Sequence, residues 1–201
     1  MTYEFEHLAH ENGFDVVCGI DEAGRGPLAG PVFAAAVILP EGLEDIGIND
    51  SKKLSEKKRD ALFDLICEKA VSYGIGTASE AEIDEINILN AAFLAMKRAV
   101  EQLSVKPDLA LVDGNREPHT GIKEYTIVKG DAKSISIAAA SILAKVSRDR
   151  YMKELDEKYP QYQFAKHKGY PTALHYELIK DFGISPVHRR SFLKKITGEK
   201  K

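Results

Sequence analysis

The segment Gly19-Ile20-Asp21-Glu22-Ala23-Gly24-Arg25-Gly26-Pro27-Leu28-Ala29-Gly30-Pro31 constrains the fold of this chain more than any other. An apolar run, Val16–Ile20, ends on two adjacent carboxylates, and a glycine- and proline-rich connection separates it from a second apolar run, Val32–Leu39. Short Val/Ile/Ala-rich runs bounded by Gly and Pro read as strands, and these two can pair as a hairpin. Neighbouring carboxylates repel, so one is partly protonated at neutral pH unless a cation sits nearby. Glycines let a backbone approach a ligand closely, and Arg25 between two of them suits a phosphate. The segment reads as a metal–phosphate site. It carries one geometric condition. Successive side chains on a regular strand point to opposite faces, so Asp21 and Glu22 can serve one centre only if the strand ends or twists between them.

Further along, Ser55 is a candidate N-cap for a helix running to about Val71, and Ser72–Ser79 reads as a strand. Ile83–Ile88 is ambiguous. Leu89, Phe93, Met96, Val100 and Leu103 recur at helical spacing, which predicts an amphipathic helix over Asn87–Ser104. Leu109–Val112 and Tyr125–Val128 read as strands. The longest helix is predicted from Ser134 to about Tyr159, with Ile135, Ala139, Ile142 and Val146 on one face. Its first half is apolar almost all round, which places it in the centre of the molecule. Helices over Pro171–Phe182 and Arg189–Ile196 complete the pattern, and strands followed by mixed helices and strands predict an α/β fold with a mixed sheet flanked by helices.

Three predicted strands end in an acid beside glycine: Ile20-Asp21-Glu22, Val112-Asp113-Gly114 and Val128-Lys129-Gly130-Asp131. Strands lie about 5 Å apart, so acids at neighbouring strand ends can converge. Such a group is destabilising alone, whereas hard oxygen ligands suit Mg²⁺ or Mn²⁺. Two such ions about 3.5–4 Å apart can drive phosphodiester hydrolysis. Taken singly, Asp113-Gly114 is equally well a turn and Asp131 a helix N-cap. Charge is unevenly spread: Ala165–Lys201 holds 9 Lys/Arg against 3 Asp/Glu, and the rest holds 19 against 28. An acidic metal centre beside a basic polyanion-binding surface leaves this asymmetry, although for Thr197–Lys201 a solvated charged tail is the better reading.

The chain resembles ribonuclease HII, the type 2 ribonuclease H, from about Val17 to Arg190. The likeness rests on Gly19–Pro31, Asp50-Ser51-Lys52-Lys53-Leu54, Asp113-Gly114, Lys129-Gly130-Asp131, and Ala138-Ala139-Ala140-Ser141-Ile142-Leu143-Ala144-Lys145 with Arg148-Asp149. His167-Lys168-Gly169-Tyr170 and His188-Arg189-Arg190-Ser191-Phe192 complete the series. The resemblance implies a ribonuclease H-like fold with a C-terminal helical, substrate-binding region over about 165–196, preceded by an N-terminal extension of about 14 residues. It implies a Mg²⁺- or Mn²⁺-dependent endonuclease that cuts the RNA strand of RNA–DNA hybrids and cuts at single ribonucleotides in duplex DNA, leaving 3′-hydroxyl and 5′-phosphate ends. Carried over by position, Asp21, Glu22, Asp113 and Asp131 are the catalytic acids and metal ligands, with Asp131 completing the second metal site on substrate. Gly24, Arg25 and Gly26 correspond to the reader of the ribose 2′-hydroxyl, the group that separates RNA from DNA. Tyr170 corresponds to the tyrosine that packs on the neighbouring sugar.

Lys53, Lys145, Lys168, Arg189 and Arg190 are candidate phosphate contacts, each equally able to lie on a solvated face. Ser134 and Ser136 either bond phosphate at a helix N-terminus or cap that helix. His167 and His188 fit structural roles better than metal ligation. A monomer is expected, with a possible sliding-clamp contact through a flexible tail at 197–201. Cys18 and Cys67 show neither disulfide nor zinc spacing, and the N-terminus lacks a signal-peptide pattern, so a reducing cytoplasm is expected. The rivals are a type 3 ribonuclease H, which generally carries an extra N-terminal domain, and a non-catalytic nucleic-acid-binding module of the same fold. A phosphate-binding small-molecule enzyme lacks its Gly-x-x-x-x-Gly-Lys-[Ser/Thr] loop.

Overall fold

A computed structural model describes residues 2–43, 46–49 and 51–197, with the backbone alone for 195–197. Asp50 and the tail beyond residue 197 lie outside the described residues, and with them the clamp contact expected of that tail. Five strands form one sheet: β1 (Val17–Ala23), β2 (Val32–Ile38), β3 (Ser72–Ala78), β4 (Leu109–Asp113) and β5 (Lys123–Ile127). Their order is β3-β2-β1-β4-β5. The predicted hairpin is present, since β1 and β2 pair antiparallel, as do β2 and β3, whereas β1–β4 and β4–β5 are parallel.

Alternation along the strands assigns the two faces. Cys18, Ile20, Ala34, Ala36, Ala110 and Val112 pack with Ala91, Ala92, Ala95, Met96 and Ala99 of helix α3 (Glu80–Glu101). On the other face lies α4 (Ile135–Lys158), whose Ile135, Ala139, Ile142 and Val146 join Ala35 and Val37 in the core. Every residue of Ile135–Ala144 is buried, as its all-round apolar character requires. Glycine faces both helices where they touch the sheet. A Cβ on Gly19 would collide with the Ser136 backbone, and one on Gly76 with the Ala95 carbonyl.

The remaining helices are α1 (Glu4–Glu11), α2 (Glu56–Lys69), α5 (Phe164–His167), α6 (Ala173–Phe182) and α7 (Arg190–Thr197). Ser55 caps α2 by accepting from the Lys58 amide, as expected. The ambiguous Ile83–Ile88 stretch is helical and kinked: Asn87 sits at φ 67°, and its Oδ1 accepts from the amides of Leu89 and Asn90. Asn87 thus caps the second half of α3, where the amphipathic pattern begins. Helix α1 has no counterpart in the sequence-based expectations. It brings Glu6 to the start of α4, where one carboxylate oxygen accepts from the Ser134 hydroxyl and from the Ser136 hydroxyl and amide. None of the helices is long and apolar enough to cross a membrane, among the described residues.

Candidate active site

The parallel strands β1 and β4 run in register, Ile20 opposite Val112, so the next residues along each, Asp21 within β1 and Asp113 at the end of β4, stand side by side. Both leave the sheet on the α4 face. Asp21 is buried there and is hydrogen-bonded to Ser141 of α4, which in turn shares a hydrogen bond with Ser51. Asp113 accepts from the Gly130 amide at 2.6 Å, and this bond draws the turn carrying Asp131 to the same rim. That turn depends on Lys129, which adopts the left-handed conformation at φ 58°. Asp113, expected as a turn residue if taken alone, and Asp131, expected as a helix cap, thus share one rim with Asp21.

Glu22 arrives differently. Strand β1 does not end after Asp21 but runs to Ala23, and Glu22 pairs with Ala34 on the α3 side. Its carboxylate reaches the rim from that side, 3.3 Å from the Arg25 guanidinium. The four acids are grouped without being drawn tightly together. Among the described residues, the one trio whose ligand atoms all lie within 4.8 Å of one another is Glu117, His119 and Glu124, elsewhere on the surface. Those residues shape the β4–β5 connection, where Glu124 accepts from the amides of His119 and Thr120.

Burial and mutual repulsion set the electrostatics. Burial first, then the charges of Glu22 and Asp113, holds the Asp21 carboxyl well above its ordinary range. Burial also raises Glu22, against the opposing pull of Arg25. Asp113 is raised by burial and by the charge of Asp131. Three carboxyls with raised proton affinity on one rim offer hard, partly desolvated oxygens of the kind that suit a divalent cation, their charge only partly offset by Arg25 and Lys52. A cation already stands at its edge, the Lys52 ammonium 2.9 Å from Asp131. Lys52 is absent from the sequence-based candidates, which name Lys53. Both are exposed, and only the short helical turn Ser51–Lys53 decides which one turns inward.

Beyond the acids, Gly24, Arg25 and Gly26 form the turn after β1, and Arg25 and Gly26 are exposed. Tyr170 faces them: a Cβ on Gly26 would lie 3.7 Å from the Tyr170 ring, which is 39% exposed. Of the basic candidates, Lys53 and Arg190 are exposed, Lys145 pairs with Asp149 one turn along α4, and Lys168 donates to the Ala165 carbonyl.

Three candidates are corrected. Ser134 and its neighbour Ser136 are fully buried; Ser134 caps α4 and both bond Glu6, so neither reaches a phosphate. Arg189 is likewise buried, and its donors are taken by the carbonyls of Gly24, Arg25 and Gly30. His167 and His188 are structural. They cluster with His175, which the sequence did not single out, and His175 and His188 share an Nε2–Nε2 hydrogen bond of 3.1 Å.

A mixed sheet carrying Asp21 and Asp113 side by side on its central parallel strands fits a hydrolase of the ribonuclease H class. The sequence profile of ribonuclease HII matches residues 18–195. The ribonuclease HII of Acetivibrio thermocellus is 57% identical over 190 residues, spanning 94% of this chain and 74% of that protein. That of Caldicellulosiruptor bescii is 53% identical over 194 residues, 96% and 94% of the two chains. Among solved structures, ribonuclease H2 from Pyrococcus horikoshii superposes with a TM-score of 0.75 at 31% identity, covering 88% of this chain and 93% of that one. The chain belongs to the ribonuclease HII family, and it is an enzyme with ribonuclease H activity, of a family that depends on divalent metal. A ribonuclease HIII bound to Mn²⁺ shares the fold alone, at 19% identity and a TM-score of 0.70, over 87% of this chain and 65% of that one. Neither the type 3 rival nor the non-catalytic one survives this assignment.

Proposed function

We propose that this enzyme cuts the RNA strand of RNA–DNA duplexes, including at a single ribonucleotide within DNA, to leave 3′-hydroxyl and 5′-phosphate ends. The observation that carries the reading is the adjacent placement of buried Asp21 on β1 and half-buried Asp113 at the end of β4, on neighbouring parallel strands, with Asp131 and Glu22 close by. Asp21, Glu22 and Asp113 would hold a divalent ion, Mg²⁺ or Mn²⁺, and Asp131 would complete a second site with substrate present. Ions held there would supply an activated water and stabilisation for the leaving oxygen.

The chain's own residues do the rest. Ser141 and the Glu22 amide orient the Asp21 carboxylate, and the Gly130 amide orients Asp113. The exposed turn Gly24–Gly26 with Tyr170 beside it would inspect the sugar at the cut, and Lys53, Lys145, Lys168 and Arg190 would meet phosphates around it. Lys52 neutralises Asp131 and would have to release it to a second ion.

The test uses duplexes of one sequence carrying no, one or many ribonucleotides, incubated with Mg²⁺, Mn²⁺ or chelator. Cutting should need metal and at least one ribonucleotide, and Asp21→Asn should abolish it. Cleavage of the all-DNA duplex, or undiminished cutting by Asp21→Asn, refutes the reading.

A further inference from the structure

Two arginines are buried beneath the Gly24–Pro31 loop. Arg148, on α4, and Arg189, at the start of α7, are 1% and 0% exposed. No carboxylate lies within 4.0 Å of either guanidinium among the described residues. Burying an unpaired charge is costly, so its donors must be well used. They are spent on backbone carbonyls. Arg189 donates from Nη2 to Gly24 O at 2.6 Å, from Nη1 to Arg25 O at 3.0 Å and from Nε to Gly30 O at 2.8 Å. Arg148 donates to Ala29 O at 3.1 Å, Pro31 O at 3.3 Å and Lys168 O at 3.0 Å.

The direction of those carbonyls has a consequence. In a trans peptide the C=O and the following N–H point opposite ways. With the Gly24 and Arg25 carbonyls turned inward to Arg189, the amides of Arg25 and Gly26 are turned outward, and both residues are exposed. No acceptor within the chain takes either amide hydrogen, among the described residues. Arg148 adds the second wall: it fixes the carbonyl of Lys168, two residues before Tyr170, and its guanidinium carbon lies 5.8 Å from the Tyr170 ring centroid. The loop and the tyrosine turn are also joined directly, by the Leu28 amide donating to Gly169 O at 2.7 Å. Gly24, at φ +96°, must be glycine, because a Cβ there would fall on the Arg148 side chain.

We propose that Arg148 and Arg189 are positioning residues for sugar discrimination: together they turn the Arg25 and Gly26 amides outward as donors to a ribose hydroxyl oxygen and set Tyr170 against the same sugar. The proposal rests on the reading of Gly24–Gly26 as the sugar-inspecting turn. Lysine at either position keeps the charge but loses the fork that holds several carbonyls at once. Burial already lowers the proton affinity of Arg189, to about 9, so a lysine there would be still easier to neutralise.

The experiment measures affinity for two duplexes of one sequence, one all-deoxy and one with a single ribonucleotide, using Ca²⁺ in place of the catalytic metal. Wild type should prefer the ribonucleotide duplex. Arg189→Lys and Arg148→Lys should each reduce that preference about tenfold, one hydrogen bond to a polar group or more, while all-DNA affinity holds. A purely structural role would lower the melting temperature and weaken both duplexes equally, leaving their ratio unchanged, and that result overturns the proposal. The wild type gives a reading free of folding defects. The amide resonances of Arg25 and Gly26 should shift and gain exchange protection with the ribonucleotide duplex alone; unmoved amides overturn the proposal. A wild type without preference would instead bring down the sugar-inspecting reading itself.

Discussion

Acid should loosen the C-terminal region through His175 and His188, and the size of the effect follows from the hydrogen bonds. Both rings are buried, 0% and 2% exposed. The Ser185 amide donates to His188 Nδ1, so His188 carries its proton on Nε2 and donates to His175 Nε2. His175 then donates from Nδ1 to the Tyr170 carbonyl. Every ring nitrogen is satisfied with both rings neutral, and a third imidazole, His167, stacks on His175 at 4.2 Å. An added proton has no acceptor waiting. Burial, joined by the neighbouring imidazoles, pushes both groups down to about 4 from 6.5.

A base whose folded-state pKa is depressed binds more protons when unfolded. Its contribution is intact above about pH 6.5 and is lost as pH falls toward 4. Between about pH 7.5 and about pH 5, one ring loses about 2 kcal/mol of stability. The raised carboxyls Asp21, Glu22 and Asp113 act in the opposite sense, gaining on acidification. A difference between variants removes them. His188→Gln keeps a donor near His175 Nε2 and deletes one titrating ring. Urea unfolding of both proteins at the two pH values should show wild type losing about 2 kcal/mol more than the variant. Equal losses would mean that the ring is not held neutral by this network.

Asp21→Asn should raise the melting temperature in chelator at pH 8 while abolishing cleavage, because the Asp21 carboxyl, raised in the fold, costs stability as it ionises; a lower melting temperature would contradict the burial and repulsion found there. Mg²⁺ should raise the melting temperature of wild type and leave Asp21→Asn nearly unmoved, as expected when metal binds the folded state through this acid. Gly19→Ala, which drives a methyl into the Ser136 backbone, should cost at least about 1–3 kcal/mol by urea denaturation. Glu6→Ala should cost about 1–3 kcal/mol by stranding Ser134 and Ser136, with kcat changed little in the fraction that stays folded.

Strands, the hairpin and the buried first half of α4 were legible because local apolar pattern and turn residues coincide there. Asp113 at the end of β4 was legible for the same reason, as an acid between an apolar run and a glycine, whereas Asp131 lies in the helical turn Gly130–Ala132 beyond the end of β5. Three things were not. Helix α1 is short and polar, and its place is set by a contact across the whole chain, Glu6 with Ser134 and Ser136, which no local pattern encodes. Strand β1 was expected to end at Ile20, because adjacent acids look unlike strand residues; pairing with Ala34 and Ala35 of β2 carries it on to Ala23. The Lys52–Asp131 pair was not singled out, because Lys52 and Lys53 are chemically identical and only the helical turn separates them.

Arg189 and Arg190 show why charge alone could not locate the binding surface. Adjacent in sequence, one is fully buried and the other exposed, because α7 begins between them: Asp84 accepts from the Arg190 and Ser191 amides and so fixes where the helix starts. That start leaves Arg189 pointing under the loop. The sign of the charge beneath the loop then determines what the loop can offer. A cation below attracts carbonyl oxygens inward and leaves amide hydrogens outward, giving a donor surface; an anion below would do the reverse and present carbonyls. The acids lie a few residues away, at the end of β1, and the Glu22–Arg25 pair at 3.3 Å stands at the boundary between the two charge regions. One glycine-rich turn therefore separates an acidic rim, fully buried only at Asp21 and Asp131, from a buried cationic floor fit to aim amides. Each buried charge calls for a partner of its own kind, cations on the acidic side and backbone carbonyls on the other, and this keeps the two regions distinct at such short range.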